Sequence, residues 1–548
     1  MLLIPAIAYI TLRSPAVQTY LAGKAAEYLS RELDAKITVG GVNITSSLNI
    51  VLEKVEILDK ENAHLLSTQR IILDIYRISI PHRFLAINKI LFDQASLSMV
   101  MYEGKDEHNF QFLVDYFARE ETNDTLRLPA WDVIVRSFEF REASLSYANH
   151  NQESLVQGFD RNNFSIGNLN IDVVDIFFEK DTLQADLVSF SFDESRGFQL
   201  TAARGELFLS PGSAHLQNFE AVTNQSQLLL NFVMEYDGYH AFQNFTEDVG
   251  FTLDVKPSFI ELYEIGYFIE DYYGLEGKVD LVGSFSGKIN NMRGNNIRIT
   301  YGTLTEFTGN FNFVGLPDIE ETFVNFSVER LVTHKADLES FRLPNSFSAP
   351  YLNLPAELNK LGITTFSGNF TGFMHDFVAF GQFNSRLGQV NTDIAILAED
   401  NFKEISYSGN IATKNFNLKQ ILDNHEEFGS VSLSSYIEGS GYNLDNLDVA
   451  ITGEIQSIDF RGYDYRKLQV DGNFTNRRFN GNILIDDPNL FLDFGGIVDF
   501  GEQTPLLNFT AQIENANLSI LNIYQRDTLY HSIVSTTIHV NGSGSNIG

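Results

Sequence analysis

Apolar and polar residues alternate with a period of two along most of this chain. Runs of this kind, separated by clusters of Asn, Asp, Gly and Ser, continue from Pro129 almost to the last residue. The alternation predicts strands that have one apolar and one polar face. It is clearest over residues 447–494, and its apolar positions there are the candidate lining of an apolar groove: Val449, Ile451, Ile455, Leu468, Val470, Phe474, Ile483, Ile485, Leu490, Leu492 and Phe494.

Strands this numerous, with few helices to cover them, need a partner for their apolar faces. Two sheets can pack face to face around a dry core, which gives a β-sandwich. One sheet can instead curl into an open U whose apolar concave face holds lipid chains. Periodicity alone leaves both arrangements open.

The first 120 residues have a different pattern. An apolar run, Met1–Leu12, leads into a helix signal, in which Ser14 can cap and Pro15 suits the first helical position. Strand-like runs follow, and a second helix is predicted near residues 109–119. The pattern therefore predicts a partial transmembrane anchor at 1–13, an N-terminal cap at 14–120 and a repeating β-region at 121–548.

The apolar run is shorter than the roughly 20 residues that a transmembrane helix needs. It has no basic start and no clear cleavage site, which argues against a signal peptide. We interpret Met1–Leu12 as part of a transmembrane helix whose first half precedes Met1. The alternative is an N-terminal helix buried in the fold.

A unit of strand, Gly-rich turn and strand recurs at unequal spacing around Gly287, Gly372, Gly441 and Gly544. Short helices are predicted between these units, at residues 258–273, 417–423 and 518–524. The recurrence favours stacked units over one closed globule. Because the last unit stops just after its turn, we interpret the β-region as incomplete at its C-terminus.

Composition narrows the possible functions. The 548 residues are 44% hydrophobic and include 46 Phe, which is enough apolar material for a core. The net charge of −33 argues against a nucleic-acid partner. The chain has no Cys, so disulfides, Cys-ligated zinc, Fe–S clusters and thiol catalysis are excluded, and a bacterial periplasm would suit it.

No motif indicates catalysis. There is no HExxH pair and no GxxxxGK[ST] loop, and in the GSFSG run Gly283–Gly287 the central position is Phe285 instead of Ser. The carboxylate pair Asp486–Asp487 lies beside Pro488 and is typical of a turn. We therefore expect no enzyme activity, no cofactor and no metal site.

Three runs in the opening block, residues 13–44, 51–75 and 109–117, resemble the start of the TamB proteins, within the wider AsmA-like group. They read RSPAVQTYLAGKAAEYLSRELDAKITVGGVNI, VLEKVEILDKENAHLLSTQRIILDI and NFQFLVDYF. Residues 465–500, which include the run IDDPNLFLDFGG, resemble the later repeats of these proteins in the style of the Bacteroidetes members.

The resemblance implies an inner-membrane protein of a Gram-negative bacterium, with one N-terminal transmembrane helix and its bulk in the periplasm. It also implies an apolar, taco-shaped groove that carries phospholipid acyl chains toward the outer membrane. The expected partners are those acyl chains, the inner membrane and an Omp85-type outer-membrane protein. The family has no catalytic residues.

The expected fold is mainly β: an elongated open β-groove (a β-taco) of stacked strands, with a few short helices and an N-terminal membrane-anchor helix. The expected function is envelope-bridging phospholipid transport that supports outer-membrane assembly. One alternative is a translocation and assembly factor for outer-membrane proteins and protein secretion. A further alternative is a secreted, β-rich adhesin.

Overall fold

A computed structural model describes residues 14–45, 49–118, 132–343, 350–399, 403–421, 426–441, 446–501, 505–524 and 532–543. Strands dominate these residues and the helices are few and mostly short, which confirms the mainly β prediction. The apolar run Met1–Leu12 lies outside the described residues. Contacts divide the chain into two compact units, Met1–Gly274 and Leu275–Gly548.

The first unit has thirteen described strands and four α-helices. Its helices are α1 (Pro15–Leu33), α2 (Gln111–Ala118), α3 (Phe245–Asp248) and α4 (Leu262–Phe268). Its strands are β1 (Ile37–Ile44), β2 (Asn49–Leu58), β3 (His64–Ser79), β4 (Phe84–Asp93), β5 (Ser96–Met101), β6 (Asp132–Val135), β7 (Phe138–Asn149), β8 (Asn163–Glu179), β9 (Thr182–Glu194), β10 (Gln199–Leu209), β11 (Ser213–Thr223), β12 (Gln227–Glu235) and β13 (Gly250–Glu261).

The second unit has fifteen described strands and two short α-helices. The helices are α5 (Lys335–Ser340) and α6 (Leu418–Ile421). The strands are β14 (Lys278–Lys288), β15 (Asn291–Tyr301), β16 (Thr305–Val314), β17 (Phe323–Thr333), β18 (Thr364–Gly372), β19 (Asp376–Ser385), β20 (Gly388–Glu399), β21 (Glu404–Asn417), β22 (Phe428–Ser440), β23 (Asp448–Phe460), β24 (Tyr463–Thr475), β25 (Arg478–Asp487), β26 (Leu490–Asp499), β27 (Leu506–Asn517) and β28 (Ile533–Ser543).

Most strands pair with the strand that precedes or follows them. From β7 to β13, and again from β14 to β28, each strand is antiparallel to the next one. The exceptions lie near the start of the chain, where β4 pairs in parallel with β6 and β7, and β5 pairs in parallel with β7. An antiparallel meander needs only short connections, which fits the many turn residues of this sequence.

Helix α1 covers the free edge of strand β1. Its first helical residue is Pro15, as predicted, although the Ser14 side chain makes no cap. The amide of Ile44 donates to Oε1 of Gln18 (2.8 Å), and the amide of Val42 donates to Oγ1 of Thr19 (3.1 Å). Polar side chains of the helix thus satisfy backbone groups that an edge strand would otherwise leave open.

Two predicted helices differ from the structure. The segment predicted as one helix at 258–273 is still strand up to Glu261, because Phe259 lies opposite Gln227 of β12. Cross-strand pairing has overridden the local pattern there. Residues 518–524 form hydrogen-bonded turns instead of a helix, with the Leu521 amide donating to the Asn517 carbonyl.

Four β-bulges share one construction. Each has an Asn in the left-handed region, with φ between +49° and +55°, whose amide donates to a side-chain oxygen on the next strand. The donor and acceptor residues are Asn218 and Asn231, Asn296 and Asn310, Asn415 and Ser432, and Asn515 and Ser535. Such bulges bend the strand that contains them and increase its local twist.

Within the part of the chain that the structure describes, none of the helices has both the length and the hydropathy of a membrane span.

Candidate functional site

All eleven candidate lining residues lie on one face of the second unit, which we call the inner face. The strand register sets Ile455 opposite Leu468, Leu468 opposite Ile485, and Ile485 opposite Leu492. Directly opposed residues of paired strands point to the same side of a sheet. The other candidates fall into the same alternation: Val449 lies opposite Phe474, Ile451 opposite Gly472, Val470 opposite Ile483, Ile483 opposite Phe494, and Leu490 opposite Asp487.

One row of opposed residues crosses all fifteen strands of the second unit without a polar residue. We call it row one. It runs from β14 to β28 through Phe285, Gly294, Phe311, Phe326, Phe370, Ala379, Ile394, Gly409, Ile437, Ile451, Gly472, Gly481, Gly496, Phe509 and Val540.

The next row along the strands, row two, is equally free of charge. It comprises Gly287, Met292, Phe313, Val324, Gly372, Phe377, Ile396, Tyr407, Gly439, Val449, Phe474, Phe479, Val498, Leu507 and Gly542. The opposite face is polar at the same level. There Thr452, Asp471 and Asn482 lie directly opposite one another on β23, β24 and β25.

Aromatic rings form a continuous series along row one from β14 to β18. The ring centroids of Phe285 and Phe311 are 5.9 Å apart, those of Phe311 and Phe326 6.0 Å, and those of Phe326 and Phe370 6.2 Å. A Cβ on the intervening Gly294 would lie only 2.4 Å from the Phe311 ring, so a glycine is required between Phe285 and Phe311. This series was not predicted from the sequence, although the run NFNF at 310–313 already shows Phe alternating with Asn.

Glycines of row one also mark close approaches between strands. A Cβ on Gly481 would lie 2.4 Å from the carbonyl oxygen of Asp471, and a Cβ on Gly496 would lie 2.4 Å from that of Asn508. Gly496 also has φ +142°, which other residues rarely adopt. These positions let the backbones of neighbouring strands from β24 to β27 approach each other closely, which is a usual role of glycine within a strand.

The candidates divide into a packed set and a set nearer the open rows. Leu521, with no exposed surface, packs with Tyr465, Leu468, Ile485 and Leu490 in a buried cluster. Ile455, Ile483 and Leu492 pack against this cluster. Val449 and Phe474 in row two, Ile451 in row one, and Val470 and Phe494 lie outside it. The first set is therefore core, and the second set is the stronger candidate for ligand contact.

The two edges of the second unit differ. We call the edge where odd-numbered strands end the covered edge, because α5, α6 and the turns at 518–524 all follow odd-numbered strands. The Lys360 ammonium donates to the Ile421 carbonyl across it (3.0 Å). We call the opposite edge, where even-numbered strands end, the turn edge. Apolar side chains are exposed near both edges: Phe323, Phe373, Leu397 and Phe500 at the turn edge, and Leu304, Ile363 and Ile520 at the covered edge.

Buried carboxylates fasten the turns of the covered edge. Asp487 accepts hydrogen bonds from the Tyr463 hydroxyl (2.5 Å) and from the amides of Arg466 (3.0 Å) and Asn489 (2.9 Å). Burial, followed by the hydrogen bond to Asp487, raises the pKa of Tyr463 above its usual range. Both groups are thus engaged in holding a turn, which agrees with the turn predicted at Asp486–Asp487 and gives no support to acid–base chemistry there.

Across the ranges that the structure describes, no three His, Asp or Glu side chains are grouped as a metal site would require. Comparison with known protein families gives no match for this chain, and neither the curated proteins nor the solved structures yield one. The geometry of the inner face is therefore the basis on which function is argued.

Proposed function

We propose that this protein carries phospholipid along its inner face, in the manner of the TamB and AsmA-like proteins that its sequence resembles. In this proposal it is tethered to the inner membrane through its N-terminal segment and lies in the periplasm. The acyl chains contact rows one and two, and the lipid moves toward the outer membrane.

The uninterrupted row one is the observation that carries the proposal. Ten of its fifteen positions carry an apolar side chain and the other five are glycines, so no polar side chain interrupts it. A core needs apolar side chains, but it does not need fifteen successive strands to exclude polar ones at the same level. An acyl chain has no hydrogen-bonding group, so it moves without penalty only along a surface that is free of polar groups. Rows one and two supply such a surface beside the turn edge, with the hydroxyl of Tyr407 as the single polar side-chain group in either row.

The assembly-factor alternative makes a different demand on the fold. A chain that guides other proteins by strand pairing uses backbone edges, and the composition of its inner face is then unconstrained. Two adjacent rows without a charged side chain favour the lipid proposal. The two functions are separated by whether phospholipid remains on the purified protein.

The experiment is native mass spectrometry of the purified protein, with Phe474 replaced. Phe474 lies in row two outside the packed cluster, so Phe474→Asp introduces a charge into the apolar surface. The matched control is Asn473→Asp, which introduces the same charge on the exposed opposite face one residue away. We expect bound phospholipid on the native chain and on Asn473→Asp, and its loss from Phe474→Asp.

Two further results have distinct meanings. Absence of phospholipid from the native protein would reject the proposal outright. Retention by Phe474→Asp would show that lipid binds elsewhere. Leu492→Asp is less useful as a probe of lipid, because Leu492 packs against the buried cluster and its replacement is expected to unfold the region.

A further inference from the structure

The hairpin between β3 and β4 extends beyond strand β2 and exposes apolar side chains, while on its other side β6 pairs with β4 from Phe84 to Ile87. Strand β2 begins at Asn49, which lies opposite Asp74, so β3 continues for five more residues past the start of β2. At this tip Ile80 is 72% exposed and Tyr76 63% exposed, and Ile78 between them is also exposed. Exposed aliphatic side chains at a hairpin tip are costly in water and usually have a partner.

The hairpin tip lies at the same sheet edge as the start of α1. The Ile44 amide at the end of β1 bonds to Gln18 in the first turn of α1, and the Ile37 amide at the start of β1 bonds to Ser30 near the end of α1. The end of β1 adjoins the start of β2 and the end of β3. Helix α1 therefore begins at the edge from which the hairpin extends, and the uncharged apolar run Met1–Leu12 precedes α1 in the sequence.

Charge sets this region apart from the rest of the chain. Residues 75–92 contain Arg77, Arg83 and Lys89 and no acidic residue, and of these Lys89 is paired with Glu139 and Asp172 on neighbouring strands. The first 100 residues hold ten Lys and Arg against nine Asp and Glu, whereas the whole chain holds 38 against 71. Arg77 lies over the Phe84 ring, 5.7 Å from its centroid, which keeps this cation beside the apolar tip.

We infer that the β3–β4 hairpin inserts its tip into the headgroup region of an anionic phospholipid bilayer. Ile78 and Ile80 would enter the apolar boundary, and Tyr76 would lie at the interface, where tyrosine is favoured. Arg77 and Arg83 would meet lipid phosphates, since basic groups near an anionic leaflet are attracted to it. A soluble acidic protein partner would also attract the arginines, but it would not account for the exposed aliphatic side chains of Ile78 and Ile80 beside them.

The chain offers a clean probe because it has no Cys. Ile80→Cys in the full chain can carry a single environment-sensitive fluorophore. The matched control is Val156→Cys, which is 96% exposed in the loop after β7, at the opposite edge, because β7 runs parallel to β4. Vesicles of phosphatidylethanolamine and phosphatidylglycerol are added, with and without a spin-labelled quenching lipid.

We expect the emission maximum of the label at position 80 to shift to shorter wavelength when vesicles are added, and its fluorescence to be quenched by the spin-labelled lipid. The emission of the label at position 156 should show neither change. The double change Ile78→Asp and Ile80→Asp should lower the vesicle-bound fraction on the order of tenfold, and Val156→Asp should leave it unchanged. Vesicles of phosphatidylethanolamine alone should bind more weakly. The inference is overturned if the chain binds vesicles but the label at position 80 keeps the emission spectrum that it has in water. It is also overturned if the chain does not bind vesicles. Neither result depends on whether the inner face carries lipid.

Discussion

The Asp337 carboxylate lies 2.9 Å from the amide nitrogen of Thr305 and closes the turn between β15 and β16. The amides of Thr303 and Leu304 and the hydroxyl of Thr305 donate to the same carboxylate. Burial alone would raise the pKa of Asp337, but these donors outweigh it and hold the pKa at about 2, below its ordinary 3.8.

This low pKa predicts an acid-sensitive turn. Because the folded-state pKa is depressed, the stabilisation is complete above pH 3.8 and is lost as the pH falls toward 2. The difference corresponds to about 2 kcal/mol of unfolding free energy. Urea unfolding at a series of pH values should show this loss, and Asp337→Asn should be less stable near neutral pH and should lack that part of the pH dependence. An Asn variant with the same acid profile as the native chain would contradict the assignment.

Leu521 provides a test of the packed cluster. Leu521→Ala removes a side chain with no exposed surface, and the cavity should lower the unfolding free energy by about 2–5 kcal/mol. The neighbouring Ile520 is 43% exposed, so Ile520→Ala should cost far less. Urea unfolding followed by circular dichroism compares the two variants. Equal losses would mean that Leu521 does not pack in the buried cluster as described.

The glycines of row one make a second structural prediction. Gly496→Ala places a Cβ 2.4 Å from the Asn508 carbonyl oxygen at a φ of +142°, and it should destabilise the pairing of β26 with β27 by roughly 1–3 kcal/mol. Gly542→Ala is the control, since a Cβ there meets no atom within 4 Å. Hydrogen exchange of the β26 and β27 amides measures the effect. Unchanged protection in Gly496→Ala would show that the strands do not need to approach so closely.

The hydrogen bonds between helix α1 and the edge of strand β1 can be removed one at a time. Thr19→Val keeps the shape of the side chain but removes the oxygen that accepts from the Val42 amide. That amide should exchange faster, and stability should fall by about 1 kcal/mol. Thr19→Ser restores the acceptor and should restore slow exchange of the Val42 amide. If the Val42 amide exchanges at the same rate in Thr19→Val and Thr19→Ser, the helix protects this edge through contact alone.

The inner face of β23 to β26 was predictable because its signal is local. Alternation with a period of two places Ile451, Leu468 and Phe494 on one side of a strand whatever the rest of the chain does. Antiparallel pairing then aligns the strands, since a slip of one residue would turn every apolar side chain to water. The mainly β class followed from the same pattern.

The packed cluster and the full extent of row one could not be predicted in this way. Leu521 lies in a connection without periodicity, and its burial depends on where the connection falls on the sheet. Row one depends on the register of each strand pair. Bulges at residues such as Asn415 shift this register, and the sequence does not show where they occur. The helix predicted at 258–273 was wrong over its first turn because the pairing of Phe259 with Gln227 outweighs local propensity.

The difference between the two edges of the second unit limits how such a chain can change in length. In an antiparallel meander, inserting one strand reverses the direction of every strand that follows. The segments that now lie on the covered edge, such as α6 after β21, would then move to the turn edge. Inserting a hairpin keeps both edges as they are and adds one more step to row one. Length changes during evolution should therefore come as whole hairpins, so that two strands are gained or lost together and single strands are not.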